Sequence, residues 1–214
     1  LGVIAKYRKI NMFYHLAESA EDSLELIKTM KSLEAMYRQP DFHKEERIYY
    51  TTGLNHVGDW YVSKAKDAHQ NSEDVTIGLN YLHKALDYVE NQGYSGTPWA
   101  IKYNISKGYI KGNELDKADS TMAVLFKGIS PTDGRQAFFL AQKALIKAKK
   151  NQKDSAIAFF HQAIEKVHAG KEILKKDYSN FVPSEHYNRT RLLLRIHEEM
   201  ERYYEKDSAI QKMI

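Results

Sequence analysis

The chain has 214 residues, a net charge of +4 and a pI of about 8.9. Charged residues make up 28% and hydrophobic ones 43%, enough for a core, and 4 prolines with 11 glycines argue against long low-complexity segments. The absence of cysteine excludes disulfides and Cys-ligated zinc, and no apolar run approaches the roughly 18 residues of a membrane span.

Residues 1–17 place Leu1, Ile4, Ala5, Ile10, Phe13, Tyr14 and Ala17 at helical spacing. A second helix is expected over 22–38, through Leu26, Met30 and Leu33, and Pro40 ends that unit. The longest candidate is 42–68, with Leu54, Val57, Trp60 and Tyr61. After the polar loop HQNSED, Ser72 or Asp74 would cap a helix over 74–91. Pro98 suits the first position of a helix over 98–111. Helices over 114–127, 135–150, 153–176, 185–204 and 207–214 follow, separated by short polar turns or by Pro131 and Pro183. No alternating strand pattern appears. All four prolines fall between helix pairs, so the pattern reads as about ten helices in about five antiparallel hairpins.

Residues 153–157 read KDSAI, and so do residues 206–210, which marks an internal repeat. The second helix of each pair shares a spacing: a small residue, a large apolar one four later, and usually alanine three after that. Gly78, Leu82 and Ala85 fit it, as do Ala156, Phe160 and Ala163. Ala118, Met122 and Leu125 keep the spacing, with leucine in the last place, and Ala209 with Met213 begin it again. The small residue lets two helices approach closely, and the large one fills the groove between them. One hairpin cannot cover its own apolar face, so such units stack.

This spacing resembles the tetratricopeptide repeat. Val57-Gly58 with Tyr61 is similar to the first-helix motif of that family, and Ile105-Ser106 with Tyr109 is similar with serine in place of glycine. The small residues lie 40, 38 and 53 residues apart, a wider and less regular period than the family norm. The Asp-Ser pairs at 22–23, 119–120, 154–155 and 207–208 resemble helix starts in sensor and regulator proteins of Bacteroidota, although Asp and Ser favour helix starts anyway. The resemblance implies an all-α fold: a right-handed superhelical solenoid of about five hairpins forming one domain over 1–214. The hairpins would span 1–40, 41–97, 98–130, 131–182 and 183–214, the first divergent and the last truncated.

A search for chemistry finds little. The sequence lacks HExxH, and His197-Glu198-Glu199 has no second histidine at zincin spacing. His161 and His168 could share a helix face, but a metal would need more ligands. GxxxxGK[ST], GxGxxG and GxSxG are absent, and the carboxylate clusters Glu45-Glu46 and Glu198-Glu199-Glu201 read as solvated faces. The basic clusters at 147–153 and 166–176 fit helix ends better than a phosphate-binding patch, which needs converging cations. The expectation is therefore no enzyme, no cofactor, no metal and no nucleic-acid partner.

Aromatic residues make up 12% of the chain. Neighbours such as Tyr49-Tyr50 and Trp60-Tyr61 sit about 100° apart on a helix, so one ring of each pair is expected to miss the core. In the resembled family the first helix of each repeat lines an inner groove. Carried over by motif, that groove would be lined by Asn55, Asp59, Tyr103, Lys107, Lys111, Ala141, Leu145, Lys149, Leu194 and Glu198. The asparagine and lysine set with which some relatives clamp a C-terminal carboxylate is not reproduced. The expected function is a protein- or peptide-binding scaffold with recognition on the concave face, in which replacing Tyr103 and Lys107 together should abolish partner capture with the fold intact. The main alternative is the sensory portion of a larger bacterial signalling or transcription-regulatory protein; a peptide-pheromone receptor and a small helical enzyme are further readings. The chain begins at Leu1 without Met, which suggests a piece of a longer protein. The sequence leaves the compartment open between cytoplasm and periplasm.

Overall fold

In the computed structural model, residues 2–16, 20–38, 46–65, 72–93, 97–130 and 132–176 are described, together with Leu194, Ile196 and Glu198. Among the described residues every regular element is a helix. They are α1 (Val3–Leu16), α2 (Ala20–Tyr37), α3 (Arg47–Lys64), α4 (Glu73–Glu90), α5 (Pro98–Lys111), α6 (Leu115–Lys127), α7 (Gln136–Lys149) and α8 (Lys153–Lys176). Each corresponds to an element the periodicity predicts. The second KDSAI copy, the helix expected at 207–214, all of the one expected at 185–204 except Leu194, Ile196 and Glu198, and Pro40, Pro131 and Pro183 lie outside the described residues.

Local chemistry explains the boundaries. Pro98 opens α5 at its first turn, where a missing N–H costs nothing. Ser72 holds the cap position of α4, yet its side chain makes no capping bond, so Glu73 and Asp74 carry the favourable charge at that terminus. The turns after α5 and α7 place Asn113 and Asn151 at φ 58°, the left-handed conformation that asparagine tolerates better than most residues. These tight turns reverse the chain, which makes α5/α6 and α7/α8 short-loop pairs.

The chain divides into two compact units, Leu1–Thr121 and Met122–Ile214. In the first, α1 packs on α2 and α3, α3 also packs on α2, α4 and α5, and α4 packs on α5. α3 is thus covered from four directions. Tyr50, Leu54, Val57, Trp60, Tyr61 and Val62 are all buried along it. Trp60 and Tyr61 are both buried in the same core, against the expectation that the two rings could not share one core face: this part of α3 has helices packed on more than one side. The amphipathic α4 buries only one side, through Val75, Leu79, Leu82 and Ala85.

Helices meet closely where side chains are smallest. A Cβ on Gly78 would lie 2.8 Å from the Gly58 carbonyl oxygen, and one on Gly58 would lie 2.6 Å from Leu82 Cγ. α3 and α4 therefore touch backbone to backbone. A Cβ on Gly108 would stand 2.6 Å from a Leu79 methyl, so α5 presses onto α4 in the same way. Beside it, Ser106 Oγ, fully buried, lies 3.5 Å from the Ala118 carbonyl oxygen and donates to it.

In the second unit α7 packs against α8. Ala144, Ala156, Phe160, Ala163 and Val167 are fully inaccessible and share one core with Ala141, Leu145 and Ile196. The Lys143 ammonium lies over the rings of Phe126 and Phe159, at 5.3 and 5.0 Å from their centroids. Asp133 folds back on Arg135 at the start of α7, and that guanidinium holds its carboxyl near about 2.

Candidate functional site

α1, α3 and α5 are joined by a set of polar and aromatic cross-links. Asn104 Nδ2 donates to Asn55 Oδ1 at 3.1 Å. One helical turn on, Lys107 donates to Asp59 Oδ1, while the Tyr14 hydroxyl donates to Asp59 Oδ2. Further along, Lys111 Nζ donates to the Ala65 carbonyl oxygen at 3.2 Å. The paired numbers advance together, so α3 and α5 run in the same direction. The α1 side is aromatic: the His56 ring stacks on Tyr14, centroids 4.6 Å apart and 11° between planes, and lies 6.0 Å from Tyr7. Tyr7 also meets Tyr49 at 5.2 Å, and burial with Tyr49 as neighbour raises its hydroxyl pKa.

Asp59 is the centre of this arrangement. It is only 4% exposed, and its two oxygens are engaged by Lys107 and Tyr14 from two different helices. A buried carboxylate without such partners would carry a desolvation penalty of several kcal/mol. The three helices are therefore held in one relative register by a single side chain.

Beside this cluster lies a cleft of about 210 Å³, lined by Thr51, Thr52, Asn55, His56, Thr97, Trp99, Ala100 and Ile101. None of these carries a formal charge when His56 is neutral. Among the described residues no group of three or more His, Asp or Glu could hold a metal ion. None of the described helices is long and apolar enough to cross a membrane.

The structure brings together half of the positions expected to line a groove. Asn55, Asp59, Tyr103, Lys107 and Lys111 lie on α3 and α5, but Asp59 and Lys107 engage each other rather than solvent. Lys107 neutralises a buried acid, so replacing it is expected to cost stability, and the double replacement of Tyr103 and Lys107 would not isolate binding from folding. Ala141 and Leu145 are buried at 7% and 6% exposure in the core of the second unit, packed with Phe160, and do not face solvent. Lys149 is half-buried, and Leu194 and Glu198 are exposed around the buried Ile196. Tyr14, His56, Trp99 and Asn104 belong to the site without having been singled out. The seven-residue spacing of Tyr7 and Tyr14, which puts both rings on one face, was the available signal.

Fold and site together define, among the described residues, an all-helical arrangement in which α1, α3 and α5 share a cross-linked polar face. No family model, curated protein or solved structure matches the chain.

Proposed function

We propose that this chain is a non-enzymatic scaffold that binds a protein or peptide segment, with its hairpins stacked as a right-handed superhelical solenoid of the tetratricopeptide type. Support for the stacking comes from recurring small residues at helix crossings: Gly58 against Gly78, and Ser106 against Ala118. Ala144 and Ala156, both fully buried, repeat the twelve-residue spacing of 106 and 118. The observation that carries the binding reading is the cross-linked face of α1, α3 and α5. Side chains already tied in place lose little entropy when a partner docks, so the face is preorganised.

Selection of a phage-displayed random 12-mer library on the full chain tests the reading. Convergent peptides are expected, with binding weakened about tenfold or more by Tyr103→Ala, a loss of about 1.4 kcal/mol. Tyr103 is half-buried on α5 and carries no buried charge, so the helical far-UV spectrum should be unchanged. No convergence, or convergent peptides indifferent to Tyr103→Ala, would sink the proposal.

A further inference from the structure

The cleft between α3 and the start of α5 has a donor and acceptor inventory that selects a ligand class. Thr52 spends its hydroxyl proton on the Ile48 carbonyl oxygen at 2.7 Å, so towards a ligand its oxygen is an acceptor. Asn55 has its carbonyl oxygen occupied by Asn104, which leaves the Nδ2 donor. Thr97 stands at the cap position of α5 without capping it, so its hydroxyl serves either role. Trp99, Ala100 and the buried Ile101 supply an apolar wall. The lining carries no acid and no lysine or arginine. Its volume, about 210 Å³, falls below the roughly 300 Å³ at which pockets for drug-sized ligands begin.

We propose that this cleft is the anchor pocket of the scaffold and takes one uncharged side chain of a docked polypeptide, with a donor and an acceptor at its tip and an apolar body. A glutamine meets all three demands: its carbonyl accepts from Asn55 Nδ2, its amide N–H donates to Thr52 Oγ1, and its methylenes lie against Trp99. A glutamate of the same shape presents only acceptors and leaves the Thr52 oxygen facing a carboxylate, with no lysine or arginine in the lining to offset its desolvation. A lysine leaves the Asn55 donor facing an ammonium. The proposal rests on the scaffold reading and adds the chemistry of the residue recognised.

Acetylated, amidated pentapeptides of the form Ala-Ala-X-Ala-Ala, titrated into the isotope-labelled chain, test it by NMR. The chain has two tryptophans, and the buried Trp60 indole is an internal control for the Trp99 indole in the cleft. With X as glutamine, a saturable shift of the Trp99 indole and the Asn55 side-chain amide is expected, with Trp60 still. The glutamate and lysine peptides should bind at least about tenfold more weakly, and Ala100→Leu, which fills the cleft, should abolish the shift while the far-UV spectrum stays helical. Equal binding of the glutamine and glutamate peptides, no shift with any peptide, or a shift with methyl glucoside alone overturns the proposal. If phage-selected peptides bind while their contacts bypass Trp99, the anchor pocket fails and the scaffold reading stands.

Discussion

Asp59 shows how one side chain sets both stability and register. Lys107→Met would leave its carboxylate buried with only the Tyr14 hydroxyl as partner, and removing one member of a buried pair costs about 3–5 kcal/mol. The expected result is a large fall in the urea midpoint, and Lys107→Met combined with Asp59→Leu should recover part of it. No recovery would mean that the pair is not the cause. Asn151 tests a smaller effect. At φ 58° it sits where a Cβ-bearing residue without a local polar group is strained, so Asn151→Ala should lose about 1 kcal/mol and Asn151→Gly should lose less. Thermal melts of the two variants decide it.

One histidine offers a pH-dependent readout. The Nε2 atom of His83 lies 3.0 Å from the Tyr109 hydroxyl, and partial burial, helped by the nearby Lys117 ammonium, lowers its pKa below the ordinary value of about 6.5. Between the lowered value and the ordinary one the unfolded chain binds the proton and the folded chain does not. Stability from this group is therefore fully present above the ordinary value and declines as pH falls through that window. An NMR titration of the ring should give a midpoint below that of a histidine in a denatured peptide; a midpoint above it contradicts the assignment.

At the scale of the element, the close crossings are the sensitive points. Gly78→Ala improves helix propensity by up to about 1 kcal/mol but drives a Cβ to 2.8 Å from the Gly58 carbonyl oxygen, where backbone would have to move. The strain should win, giving net destabilisation of about 1–3 kcal/mol in chemical denaturation. An unchanged or raised midpoint would show that the two helices can part freely. The spacing of the second helices was legible beforehand because it is local: Leu82, Ala85, Met122, Phe160 and Ala163 recur at four and three and are all buried. What that spacing met was not legible. Gly108 against Leu79 joins α5 to α4, and nothing in either segment names the other.

Across the first unit, α3 is the helix around which the others are arranged, since α1, α2, α4 and α5 all pack against it. Its amides should exchange with solvent hydrogen most slowly, and those of α1, which touches only α2 and α3 extensively, faster. Exchange followed by mass spectrometry checks this ordering, and equal protection of α1 and α3 would contradict it.

The sequence by itself placed the eight described helices, though not their exact ends (α3 is Arg47–Lys64 where 42–68 was expected), because 3.6-residue periodicity and the fit of Pro98 to a first helical turn act within a few residues. Only the tertiary structure decided which polar residues face a ligand and which face each other. Asp59 and Lys107 look alike from either segment, as solvated groups on two helices 48 residues apart. They become a largely buried pair because α1, α2, α4 and α5 all pack on α3, and that packing of four other helices is something no local pattern specifies.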